Sequence, residues 1–465
     1  MGNILNLVYD KFYYSYSKRY KEKDNRFPCP NGYDLELQED FMLFMKYYED
    51  NKMHSHLVNS TFDGKYYKKI DILKNKDVPN PKVKIHFPFL TSDLCENFDL
   101  VYHDATNDEL NEDLYFYVIE LIHFDIDYFE SMFNDISDKV KNLINEGRCK
   151  VIVDFGHEGQ WNSLKFYEWY QEFLHKSEID LNQIYIFICD LNYDTKLFTD
   201  CKINFVPSLY YLEELSRGVS KIISKGTIES TIGHKYSILD IDDIDVNKKK
   251  KYFLSLMRNC GKFHRQFLGC YFEFNDLWDD NIISFLKGSW DNNFRPKIPV
   301  KYSSVWDKLD KGKPIEIDTH EVEDRYGFSP YYTDREDFYK ETFLSVVTEV
   351  LFDHNSIFLS EKILKPIWNL HPFIVASVPF TLKKLKELGF KTFEPFIDES
   401  YDKEKNHVER MNKITTELDK FRSKSFDELR VWWKEILPIL SHNQKVFLEY
   451  KDKKTSKTKF FEKFV

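Results

Sequence analysis

Short apolar runs rich in β-forming residues alternate with segments of helical period along much of this chain. Between Lys150 and Asp154 stand only Val and Ile, and the run leads into Gly156. Residues 184–189 form a second run that stops at Asp190, and 251–257 a third that stops at Arg258. Strands that are apolar on both faces belong inside a parallel sheet covered on both sides. Parallel neighbours need a long crossover, and the helical segments between the runs supply one. The alternation therefore predicts an α/β fold.

The 465 residues can bury two cores. The expected arrangement is two Rossmann-like parallel-sheet domains facing a cleft, with C-terminal helices. Residues 1–80 show weak periodicity, with one candidate helix over 35–48. Further strands are expected at 83–87, 98–102, 115–121 and 203–206, and helices at 127–145 and 163–174. An acidic run, Asp240 to Asp245, and then Lys248 to Lys251 mark the linker. The second unit reads as a strand at 251–257, a helix at 264–272 and a short strand at 282–286. Residues 287–340 look irregular. Helices are expected at 402–421 and 426–450, followed by a Lys-rich tail. These features divide the chain into 1–245, 246–440 and 441–465.

The stretch from Ile357 to Phe380 is the most informative. A short apolar run precedes Ser360, which stands where a helix N-cap belongs. Glu361 and Lys362 open the helix, and His371-Pro372 ends it before a buried strand at 373–376. A lysine in the first turn opposes the helix dipole, so it points to an anionic ligand. A capped surface helix with two solvated charges is the plainer reading.

Ligands of parallel α/β sheets bind beyond the carboxyl ends of the strands. Arg258 stands at such an end, and Arg265 lies one turn into the next helix. Guanidinium groups suit bidentate contact with phosphate. Arg265 equally fits a surface ion pair. At the end of the 150–154 run, Gly156 and Gly159 flank His157 and Glu158. Glu158 or His157 could take a proton from an acceptor hydroxyl, with Asp154 beside them. The alternative is that Asp154 caps the next helix and His157 packs. The acidic cluster from Asp398 to Asp402 reads as a cap for the helix that follows it. Two Asp-x-Asp triplets, at Asp125/Asp127 and Asp240/Asp242, follow no clear strand end. Among 77 acidic residues such triplets arise by chance, so no metal is expected. No phosphate-binding glycine loop and no nucleophile elbow is present in the sequence.

Ser360-Glu361-Lys362 before an apolar helix, then Pro372-Phe-Ile-Val, resembles the signature of the α-1,3-fucosyltransferase family. That family carries a Thr-Glu-Lys triplet, a helix, and a strand opening with Pro-Val-Val. Glu349, closing Phe343-Leu-Ser-Val-Val-Thr, is similar to the family's upstream glutamate. The match runs from Phe343 to Phe380. Val350 and Leu351 stand where the family has Asn-Ser, and Pro366 lies inside the helix. The resemblance implies a GT-B-like architecture, with an acceptor domain first and a nucleotide-sugar-binding domain second. It implies inverting transfer from a nucleotide-diphosphate sugar to a glycan or other hydroxyl acceptor, without metal or cofactor. Glu361 would hold a ribose or sugar hydroxyl, Lys362 a phosphate, and Arg258 the diphosphate. Ser360, Glu349 and Arg265 would complete that donor site.

A net charge of -11 disfavours nucleic acid as the partner. The 41 Phe and 30 Tyr, with abundant Lys and Asn, suggest an AT-rich genome. With the Lys-rich tail they motivate a second reading, a viral enzyme that glycosylates nucleic-acid bases. A third is a non-catalytic binding or structural protein on a transferase-like scaffold. The seven cysteines include no Cys-x-x-Cys and suit a reducing compartment, the cytoplasm, or the host's if the protein is viral. The N-terminal residues do not read as a signal peptide, and no apolar run reaches membrane-spanning length.

Overall fold

The computed structural model describes residues 4–9, 97–105, 108–111, 113–120, 133, 136–155, 172–173, 176, 178–191, 204–213, 215–217, 228–229, 235–236, 239–257, 260–285, 290–311, 336–354 and 356–465. The expected elements at 35–48 and 83–87, and nearly all of 163–174, lie outside these. Residues 127–132, 134 and 135 of the expected 127–145 helix also lie outside them; its C-terminal part is α1 (Asp138–Asn145), which Ser137 caps.

Six strands form the first sheet: β1 (Ile4–Tyr9), β2 (Asp99–Asp104), β3 (Tyr115–Glu120), β4 (Cys149–Phe155), β5 (Ile184–Ile188) and β6 (Asn204–Pro207). Their order is β2-β1-β3-β4-β5-β6 and every pairing is parallel. A two-stranded antiparallel ribbon, β7 (Ile228–Glu229) and β8 (Lys235–Tyr236), falls between the two large sheets in sequence. The second sheet contains β9 (Lys251–Met257), β10 (Ile282–Phe285), β11 (Thr342–Thr348) and β12 (Phe373–Ala376). Its order is β10-β9-β11-β12, again parallel throughout. The fold is thus α/β, with two Rossmann-like parallel sheets and a C-terminal set of helices.

β1 corrects the reading of the N-terminal region as weakly patterned. Its Leu5, Leu7 and Val8 are buried because the strand sits inside the sheet, between β2 and β3. Alternate side chains of a strand face opposite layers. Tyr115, Tyr117 and Ile119 of β3 accordingly join the layer containing Val140 and Ile144 of α1. Phe116 and Val118 face the other layer, which the end of the chain covers.

The Lys-rich end of the chain supplies that cover. Residues 456–461 form a short helix, α9 (Ser456–Phe461), capped by Thr455. Phe460 and Phe461 pack on Leu5, Leu7, Phe116, Ile152 and Phe187 of the first sheet. Burying a Phe contributes about 1.5–3 kcal/mol. Lys457 turns inward and pairs with Asp154, the two side chains being 1% and 0% exposed. A division at residue 440 falls inside a single helix, α8 (Phe426–Glu449), which a Ser425–Glu428 capping box starts.

Within 287–340 the described residues, 290–311 and 336–340, are more ordered than their composition suggested. They contain α3 (Ser303–Lys311) and α4 (Glu336–Glu341). Trp306 and Leu309 of α3 are buried, one helical turn apart, and Trp306 lies against Trp290 at 4.6 Å. The acidic cluster also caps differently. Asp402 accepts from the N–H groups of Leu382 and Lys383, at the start of α6 (Thr381–Glu387). The helix it was expected to start is α7 (His407–Arg422), and Asn406 caps it.

Candidate functional site

The second sheet reverses its winding between β9 and β11. β9 leads through α2 (Phe263–Phe274) to β10 on one side, and β11 leads through α5 (Glu361–Trp368) to β12 on the other. At such a reversal the crossovers diverge and leave a crevice at the carboxyl ends of the strands.

Glu349 stands at that point, directly after β11, and its N–H donates to the Ala376 carbonyl at 3.1 Å. Its carboxylate is fully buried and receives the Ser360 hydroxyl at 2.6 Å and the Ser360 N–H at 3.2 Å. Burial pushes the Glu349 carboxyl up, and the nearby Lys362 and the Ser360 bonds only partly oppose this. Ser360 is the N-cap of α5 and accepts the Lys362 N–H at 3.2 Å. One hydroxyl therefore ties the strand end to the helix start.

Glu361 and Lys362 form an ion pair of 2.6 Å at the first turn, their side chains 15% and 30% exposed. Burial alone would raise the Glu361 carboxyl, but Lys362, with Lys365 behind it, holds it below its ordinary value. The pair offsets the cost of a lysine at a helix N-terminus and leaves a carboxylate and an ammonium side by side.

Arg265 is buried, which removes its reading as a surface ion-pair residue. Its Nη2 donates to the carbonyls of Thr348 and Glu349, at 3.2 and 3.5 Å. Burial lowers the guanidinium, and Cys260, Glu349 and Glu361 act against that shift. His264, the preceding residue, reaches the same strand end. Its Nε2 lies 2.9 Å from the Glu349 carbonyl and so donates to it, which leaves Nδ1 unprotonated. Burial drives this imidazole well below its ordinary value, with Arg265 adding to the shift. Neither the composition nor a motif singled out His264; its place beside Arg265 at the start of the helix after β9 is the only sequence signal.

The first sheet meets this site through its own carboxyl edge. Asp190, just past β5, accepts a hydrogen bond from Ser356, and the Leu191 N–H donates to the Ile357 carbonyl at 2.8 Å. Tyr211 packs edge-on to Phe358 at 5.4 Å. These contacts stitch the first unit to the segment that delivers Ser360. Asp154 takes another part: its buried pairing with Lys457 ties the chain's end to β4 and replaces the expected helix cap. An aspartate enclosed in this way lacks the access a proton acceptor needs. His157, Glu158 and Arg258 lie outside the described residues.

The sequence-derived donor set thus gathers Glu349, Ser360, Glu361, Lys362 and Arg265 around one strand end and one helix start. The partly buried Glu361–Lys362 pair offers an acceptor for hydroxyls beside a donor for anions. A separate cavity of about 770 Å3 lies beside α6, lined by Phe380, Lys383, Phe396 and Asp402 among others. It shares no residue with the Glu349 cluster. Among the described residues no group of three or more His, Cys, Asp or Glu is placed to hold a metal ion. Among them, too, no helix is long and apolar enough to cross a membrane.

No protein-family model matches the sequence, and no curated protein matches it. Among solved structures the chain is similar to an α,α-trehalose-phosphate synthase (UDP-forming) from Burkholderia vietnamiensis. The identity is 10%, over 97% of this chain and 96% of that one, with a TM-score of 0.35.

Proposed function

We propose that this chain is a glycosyltransferase that moves a sugar from a nucleotide-diphosphate donor to a hydroxyl acceptor, with inversion and without a metal. The observation that carries the reading is the Glu349–Ser360–Glu361–Lys362 constellation at the winding reversal of the second sheet. Its likeness to the fucosyltransferase signature makes fucose the first sugar to test.

In this reading Lys362 and the α5 N-terminus receive the diphosphate, and Glu361 accepts a hydroxyl of the ribose or sugar. Negative charge grows on the diphosphate as the sugar leaves, and Lys362 with Arg258 and Arg265 offsets it. Glu349 touches no ligand; it holds Ser360 and so sets the angle of the helix start. The proton of the acceptor hydroxyl passes to Glu158 or His157 of the first unit. The site of action is the cytoplasm, that of a host if the chain is viral.

Calorimetric titration of the full chain with GDP, UDP and their sugars tests the proposal. Binding of at least one nucleoside diphosphate, weakened by Lys362→Ala and by Glu361→Gln, is the expected result. Failure of every nucleoside diphosphate to bind would overturn it.

A further inference from the structure

The loop that follows β11 carries Glu349 and is itself irregular over 349–354. Past the bond from the Glu349 N–H to the Ala376 carbonyl, something other than strand pairing must hold it. The fixed point is Phe352, three residues on, whose ring is buried. The His264 imidazole stacks on that ring at 4.7 Å, with an interplanar angle of 11°. The Arg410 guanidinium also lies over it, its Cζ 4.0 Å from the centroid. His407, one turn earlier in α7, meets the ring edge-on at 5.8 Å.

Arg410 is 1% exposed, yet its bonds go to backbone rather than to carboxylates. Nη2 donates to the Phe352 carbonyl at 2.5 Å and Nη1 to the Glu404 carbonyl at 2.9 Å. Among the described residues Nε of Arg410 and Nδ1 of His264 have no hydrogen-bond partner. A buried guanidinium without a paired carboxylate is costly, and a Leu or Met would fill the same space more cheaply. What those residues could not supply is a fork of donors that holds a loop carbonyl while the plane stacks on the same residue's ring.

We propose that Arg410 is a positioning residue for the donor site. With His264 it grips Phe352 and fixes the loop from which the Glu349 carboxylate reaches Ser360. The grip has two ends on the same strand exit: His264 holds the ring of Phe352 and the carbonyl of Glu349, and Arg410 the ring and carbonyl of Phe352. Through it α7, a helix outside the sheet crossovers, sets the start of α5. The role in donor binding rests on the glycosyltransferase reading; the grip on the loop does not.

Two variants test this, Arg410→Met, which keeps the stem, and Arg410→Lys, which keeps the charge but not the fork. Hydrogen exchange by mass spectrometry reads the loop directly. Exchange at 349–354 should rise about tenfold or more in both variants, while peptides from β9 and β12 keep wild-type protection. GDP or UDP affinity should fall about tenfold, as expected for loss of roughly one such contact. Unchanged exchange at 349–354 in the folded variants overturns the proposal, whether or not any nucleotide binds. A loosened loop with unchanged nucleotide affinity also overturns it, because the grip then positions nothing. If wild-type protein binds neither nucleotide, the donor reading fails separately, and the exchange result still decides the grip. Should Arg410→Met fail to fold, Phe352→Leu removes the ring from the other side and is judged by the same two readouts.

Discussion

The two ends of the second sheet both bury polar side chains, but they use them differently. At the amino end Lys249 is wholly buried, and its ammonium nitrogen donates to the carbonyls of Tyr339 and Thr342 at 2.6 and 2.7 Å. His371 lies nearby, bonded through Nδ1 to the Ser345 hydroxyl at 2.8 Å and through Nε2 to the Thr342 carbonyl at 2.9 Å. Both ring nitrogens of His371 are satisfied and the group is sealed from solvent. At the carboxyl end Glu349 and His264 are equally buried, yet His264 Nδ1 has no partner among the described residues. The neighbouring Glu361 and Lys362 reach the surface. A closed, satisfied network stabilises and specifies a core; one that opens outward with capacity to spare is what the proposed donor site requires. The polar residues alone would not separate the two ends.

The largest effect expected from this contrast is at the closed end. His371→Ala removes bonds to Ser345 and Thr342 and opens a void, so it should cost about 3 kcal/mol of stability. Chemical denaturation measures the loss, and nucleotide affinity of the folded fraction should stay at the wild-type value. Lys362→Ala should do the reverse. It should weaken nucleoside diphosphate binding by about 10- to 100-fold, the worth of a charge-assisted bond, and change stability by no more than about 0.5 kcal/mol. If Lys362→Ala instead unfolds the chain with affinity intact, the distinction between the ends is lost.

Smaller effects appear in the pH dependence. Burial lowers Lys249 from 10.5 to about 7. Between those values the unfolded chain holds the proton and the folded chain does not, so stability rises with pH across that interval. Lys249→Met should flatten that slope in melts taken from pH 7 to pH 10. Glu349 is shifted the opposite way, raised by burial. Its folded form keeps a proton that the unfolded form has released, so its contribution is full below the ordinary carboxyl value and declines as pH climbs through the raised one. Glu349→Gln, which keeps the side-chain shape and one acceptor for Ser360, should remove that acid-side decline. Identical pH profiles for wild type and both variants would show that neither burial governs stability.

Much of the second unit was legible from residues near one another in the chain. Ser360 as a cap, the strand at 251–257 and the helix at 426–450 follow from periodicity and first-turn chemistry, and the structure places all three as read. Arg265 was readable as a candidate but not as buried, because its partners are carbonyls 83 and 84 residues away. Arg410 sat unremarked inside an amphipathic helix, since nothing local distinguishes it from a solvated arginine. The tail is opaque for the same reason: nothing near Lys457 in the chain marks it as the partner of Asp154, 303 positions earlier.

By itself the sequence determined many of the strands and helices and where several of them start, because side-chain period and capping act over a few residues. Only the tertiary structure decided that β1 lies between β2 and β3, that α9 roofs their sheet, and that α7 contacts the loop after β11. Those outcomes depend on which distant apolar faces and unpaired polar groups meet when the chain closes, and no local pattern encodes a partner hundreds of residues away.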